Sequence, residues 1–180
     1  AIEFLIEQDA DGDGIIEGLV VDGNVLHGLV HNAFNLDGVQ RSLFTNNLVF
    51  DVQAHALRAY AIDGAAGPVG LVVVNNTFDL SNGGRSPFKV TEEGGGHVLF
   101  NNILLTDNEN DGSIMVEDPA GVVSSHNAVV DRFSPDGEAI VSLAEWQALG
   151  LDAGSIVVDA SLFVASGSDY HVSAGSPTLD

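Results

Sequence analysis

A pair of asparagines comes back along this chain at a nearly fixed interval. Ser42-Leu43-Phe44-Thr45-Asn46-Asn47-Leu48-Val49-Phe50 is repeated as Leu71-Val72-Val73-Val74-Asn75-Asn76-Thr77-Phe78 and as Val98-Leu99-Phe100-Asn101-Asn102-Ile103-Leu104. Weaker copies carry Asn24 and Asn127. The second asparagines stand at 24, 47, 76, 102 and 127, so the gaps are 23, 29, 26 and 25 residues. A period of this size marks a repeat architecture.

Each unit holds two or three short strand-like runs between turns. Its few inward apolar side chains contribute roughly 2 kcal/mol each. Ordering about 25 residues costs on the order of 25–50 kcal/mol of backbone entropy. One unit cannot stand alone, so neighbours must stack. Parallel stacking puts equivalent positions about 4.8 Å apart. Asparagine tolerates the left-handed turn conformation, and its amide both donates and accepts along a stack. The expected fold is therefore all-β: a single-stranded right-handed parallel β-helix of about five coils with a column of asparagines at one corner. The coils are expected over 1–131 and a C-terminal cap over 132–180. The cap contains one short helix at Ser142–Gly150, where Ser142 and Glu145 form a capping box and Gly150 supplies the left-handed end.

Charge narrows the function. Five basic residues face 26 acidic ones, a net charge of −21. Such a field repels nucleic acid and anionic membrane surfaces. No apolar run reaches the roughly 18 residues of a membrane span. There is no cysteine, hence no disulfide or thiolate metal site. Ala1 opens directly on a strand-like run without a visible signal peptide, as expected of a mature product or a piece that lacks N-terminal coils. An open first strand would recruit a partner or self-associate.

The repeats resemble the right-handed parallel β-helix repeat proteins of the pectate-lyase-like superfamily. They are most similar to a bacterial secreted β-helix subgroup, through segments such as Asn35-Leu36-Asp37-Gly38-Val39-Gln40, Ile62-Asp63-Gly64, Asn101-Asn102-Ile103-Leu104-Leu105 and the terminal Asp169-Tyr170-His171. The resemblance implies an extracellular or cell-surface protein and a polysaccharide partner, with lyase chemistry as precedent. It carries no catalytic signature residue by residue.

Aligning the strands places Asn35, Arg58, Lys89 and Met115 in one outward column. Asp37, Tyr60, Thr91 and Glu117 form a second, two residues on. Two of five basic residues then stack on one face. The functional reading is a uronate polysaccharide site. Arg58 would neutralise a carboxylate. Lys89, its pKa lowered by Arg58, would remove the adjacent proton, with Tyr60 or His55 as the acid. Asn35, Asp37, Thr91 and Glu117 would bind substrate. The alternative is a non-catalytic module for surface display, sugar binding or assembly, in which Arg58 and Lys89 pair with Asp37, Glu117 or Glu92. Asp37 and Glu117, three coils or roughly 14 Å apart, are too far apart for a two-carboxylate glycosidase.

Asp9, Asp11, Asp13 and Glu17 fit positions one, three, five and nine of a calcium loop, with Gly14 at six. Position twelve is Val20, and the flanks are strand-like. The alternatives are a Ca2+-stiffened loop and a plain acidic turn; Asn108–Asp111 is a weaker stretch of the same kind. His27 and His31 lie across a glycine turn rather than on one helix face, against a zinc pair. Trp146 reads as a packing anchor.

Overall fold

The computed structural model describes residues 12–92 and 94–178, and the backbone of residues 2–4. The chain is an all-β parallel β-helix. Three parallel sheets run along it as three faces, of six, five and six strands. The first face stacks Ile2–Phe4, Phe34–Asp37, Leu57–Tyr60, Phe88–Val90, Ile114–Met115 and Phe133–Ser134. The second stacks Val20–Asp22, Leu43–Thr45, Val72–Val74, His97–Phe100 and Val122–Ser125. The third stacks Val25–Leu29, Leu48–Val52, Thr77–Leu80, Ile103–Thr106, Ala128–Val129 and Ile156–Val157. There are thus about six turns rather than the five expected.

Strand alternation fills the interior with columns of like residues. Phe34, Leu57, Phe88, Ile114 and Phe133 lie in register on the first face, all fully buried. Val49, Phe78, Leu104 and Val129 do the same on the third. Apolar residues at every second position of each strand suffice for this core.

The asparagine corner lies between the second and third faces, and its two positions divide the work. Asn46, Asn75 and Asn101 take the left-handed backbone, with φ of 54°, 56° and 56°; Gly23 and His126 do so in the flanking coils. Asn47, Asn76, Asn102 and Asn127 point inward and are buried. Each of their Oδ1 atoms accepts twice from the coil before. Asn76 Oδ1, for example, accepts from Asn47 N at 3.0 Å and from Asn47 Nδ2 at 2.9 Å. Asn76 Nδ2 reaches on to Asn102 Oδ1 at 3.0 Å and back to the Phe44 carbonyl at 2.9 Å. The ladder therefore has a direction, its donors pointing towards the C-terminus.

It ends on Asp152 in the sixth turn. Asn127 Nδ2 donates to Asp152 Oδ1 at 2.8 Å. The helix Leu143–Ala148 closes this end of the solenoid, and both capping-box bonds between Ser142 and Glu145 are present. Trp146 is fully buried and stacks on Phe133 at 5.2 Å, as a packing anchor does. The remaining tail leaves that end. A hairpin of Phe163–Ala165 and Asp169–Val172 lies along the outside of the third face, over Phe50 and Leu105. Tyr170 donates to the buried Asp79 at 3.0 Å, and Ser166 donates to the same carboxylate.

Candidate functional site: a basic strip on the first face

The register places Asn35, Arg58, Lys89 and Met115 opposite one another on successive strands, and Asp37 opposite Tyr60. The first column expected from sequence is therefore present, as is the Asp37–Tyr60 step of the second. Their members do different things. Arg58 and Lys89 are half-buried and form no ion pair among the described residues. Arg58 Nε is buried without a hydrogen-bond partner, and the guanidinium carbon lies 5.0 Å from the centre of the Tyr60 ring. Cation–π contact offsets part of its desolvation.

The carboxylates assigned as partners of these cations are occupied elsewhere. Asp37 is buried and accepts from the backbone N–H groups of Ile62, Asp63 and Gly64 at 2.9, 3.0 and 3.2 Å. Glu92 accepts from Ala61 N at 3.1 Å, and Glu117 from Glu92 N at 2.7 Å. Each acid caps a corner amide instead of neutralising a cation. The expected pairing of Arg58 and Lys89 with Asp37, Glu92 or Glu117 is thus corrected.

Asp37 is thus engaged with the corner backbone. Asn35 is also engaged: its Nδ2 donates to Tyr60 Oη at 2.8 Å, and its Oδ1 accepts from Asn32 at 2.7 Å. Thr91 is half-buried and Glu117 exposed at the end of the second column. Met115, 3% exposed, ends the basic column.

His55 is buried just before the strand Leu57–Tyr60, with Nδ1 at 3.3 Å from the Ser86 carbonyl. Burial, then the charge of Lys89, drives its pKa down to about 3; Arg58 and Arg85 add to this, while the Ser86 contact opposes it. The imidazole is neutral, with its Nδ1 proton assigned to Ser86. Burial and the nearby positive charges work against His55 as the acid of an elimination. Three of the chain's five basic residues, Lys89, Arg58 and Arg85, act on it through their charge. Arg85 was missed from sequence. Its signal was Arg85-Ser86-Pro87 leading into the Lys89 strand, where proline fixes an extended entry.

An acid effect follows. The unfolded imidazole titrates near 6.5 and the folded one near 3, so below 6.5 the unfolded chain binds the extra proton. His55 contributes stability that is complete above pH 6.5 and is lost as the pH falls towards 3. Each tenfold difference in proton affinity between the two states is worth about 1.4 kcal/mol. His55→Asn is expected to flatten the acid limb of stability by one proton in that window, measured by urea unfolding at a series of pH values. An unchanged slope would show that His55 is protonated in the fold.

Of the four carboxylates of the acidic loop, the structure describes Asp13 and Glu17. The Glu17 carboxylate is held by the Arg41 guanidinium, with Nε at 3.0 Å. Asp13 caps its own turn by accepting from Ile15 N at 2.9 Å. Asp9 and Asp11 lie outside the described residues. Among the described residues no group of three His, Cys, Asp or Glu side chains could hold a metal ion. Clefts of about 760 and 510 Å3 lie elsewhere, against the C-terminal tail, and neither includes Arg58, Lys89 or Arg85. No helix of the described residues is long and apolar enough to cross a membrane.

The geometry defines a class: a parallel β-solenoid presenting a cationic strip. No family model, no curated protein and no solved structure matches the chain.

Proposed function

We propose that this is a secreted carbohydrate-active β-helix protein of the pectate-lyase-like kind, which holds a uronate-containing polysaccharide along Arg58, Lys89 and Arg85. One observation carries the reading. In a chain of net charge −21, Arg58 and Lys89 lie opposite each other on adjacent strands of one face, with Arg85 four residues before Lys89, while Asp37, Glu92 and Glu117 accept from backbone amides. Cations that form no ion pair among the described residues offer their donors to an external carboxylate. The first-face strands hold Arg58 and Lys89 about 4.8 Å apart, so neighbouring anionic groups of one polymer can be met together.

The same arrangement favours proton abstraction next to a bound carboxylate. Arg58 neutralises the carboxylate, Lys89 in its neutral amine form takes the adjacent proton, the C–O bond to the leaving sugar breaks as the C=C bond forms, and Tyr60 on the strip gives its proton to the departing oxygen. Binding without cleavage is the second reading, favoured by Asn35 engaging Tyr60 and by Met115 ending the column.

Two charge-assisted contacts are worth about 1.5 kcal/mol each at the low end. Arg58→Ala with Lys89→Ala is therefore expected to weaken polygalacturonate or alginate binding about a hundredfold. Added salt is expected to weaken wild-type binding by screening, and Arg41→Ala to leave it intact. Calorimetry measures affinity, and absorbance of the unsaturated product measures elimination. Wild-type binding without product selects the non-catalytic reading. Unaltered binding by the double variant rejects the strip.

A further inference from the structure

The left-handed corner residues line a second surface of opposite character. A groove of about 510 Å3 runs along the asparagine corner, walled on one side by Val172 and Pro177 of the tail. That volume lies in the usual range of small-ligand sites, about 300–1,000 Å3. Among the described residues its lining contains no Asp, Glu, Lys or Arg, in a chain where 17% of residues are charged. Asn75, Asn101 and His126 stand at equivalent positions of successive coils, following the paired residues Val74, Phe100 and Ser125. All three are exposed. Asn101 Nδ2 donates to Asn75 Oδ1 at 2.7 Å, which leaves Asn75 Nδ2 and Asn101 Oδ1 to face outward. Phe100, 44% exposed, sits 5.3 Å from the His126 ring at the groove's edge.

We propose that this groove binds a neutral, hydroxyl-rich glycan chain laid along the solenoid axis. Amides and imidazole both donate and accept, which suits hydroxyl groups. An uncharged lining gives no counter-charge to a uronate, so the groove and the basic strip select different polymers. Parallel stacking repeats the polar group about every 4.8 Å, one per coil for successive pyranose rings. Phe100 and His126 offer an apolar face to the sugar C–H groups. The hydrogen bond from Asn101 Nδ2 to Asn75 Oδ1 restrains two of the side chains before binding, which lowers the cost of ordering them.

The test uses cello- and xylo-oligosaccharides, with oligogalacturonate as the charged comparison, followed by amide chemical shifts and calorimetry. The discriminating variant is Asn75→Gly with Asn101→Gly. Glycine adopts φ near 56° without strain, so the amides are removed while the corner is kept. Neutral oligosaccharides are expected to shift resonances of Asn75, Asn101, His126 and Thr77, and the double glycine variant to bind at least about tenfold more weakly, a loss of about 1.4 kcal/mol. Its unfolding midpoint should stay near wild type. Arg58→Ala with Lys89→Ala should keep neutral-glycan binding, so failure at one site is separable from failure at the other. Retained binding by the glycine variant, oligogalacturonate outcompeting the neutral chains in the groove, or no response to either neutral series would each overturn the proposal.

Discussion

Asn76→Ala is expected to remove about 3–5 kcal/mol of stability, a large part of the roughly 5–15 kcal/mol of an ordinary domain. The substitution deletes a buried amide that connects three coils. Asn47 N loses its side-chain acceptor, and Asn47 Nδ2 keeps just the Val21 carbonyl. On the other side the Phe44 carbonyl and Asn102 Oδ1 each lose a donor. A buried polar group left without a partner costs about 1–3 kcal/mol, and the methyl group cannot admit a partner from the adjoining strands. Asn75→Gly, one residue away, removes an exposed side chain at a left-handed position and should cost a few tenths of a kcal/mol at most. Urea unfolding of the two variants measures the contrast. Because coils contact only their neighbours, the Asn76 variant should also broaden the transition, as the stack divides near its middle. If both variants unfold together with wild type, the ladder is not what binds the coils.

The ladder was the most legible part of the sequence because its chemistry admits few substitutes. A corner that needs one residue at positive φ and then a buried group able to accept twice and donate twice selects Asn-Asn. That demand shows as a period before any strand is assigned. Where the demand is met differently, the period fades. The sixth turn does not show in the repeat because a helix interrupts the pattern after Val130 and because Ser155 stands at the asparagine's position, accepting from Asn127 N, while Asp152 accepts from Asn127 Nδ2. Strand register followed from the same period, so the column of Asn35, Arg58 and Lys89 was also legible. What the neighbours of that column do was not. Whether Asp37 meets a cation or three amides depends on how the loop at 62–64 folds over it, and no local pattern encodes that. The tail hairpin is similar: Tyr170 meets Asp79 across 91 residues of sequence, through a contact that neither segment announces.

The second large effect is expected at Asp152, where the ladder meets the cap. The carboxylate is fully buried and is reached only by donors. Asn127 Nδ2 and Ser155 Oγ donate to Oδ1 at 2.8 and 2.6 Å; Ser124 Oγ and Trp146 Nε1 donate to Oδ2 at 2.5 and 2.7 Å. A carboxylate is suited to this because it needs to donate nothing. Asparagine fits the same space with the wrong polarity. With its amide nitrogen towards Oδ2's place, it faces the indole N–H, which has no lone pair to offer. Flipped, it opposes Asn127 Nδ2, whose hydrogens cannot turn away because the Leu99 carbonyl and the ladder fix them. Either choice sets donor against donor. Asp152→Asn is therefore expected to cost about 2–4 kcal/mol, from charge-assisted bonds worth about 1.5–3 kcal/mol each. Trp146 is the only tryptophan, so its emission reports the cap directly. The variant should show a red-shifted maximum and easier acrylamide quenching at denaturant concentrations where the coils remain folded by circular dichroism. Identical emission and an unmoved midpoint would mean that Trp146 and Leu143 close the stack through apolar packing alone, with the ladder ending at Asn127.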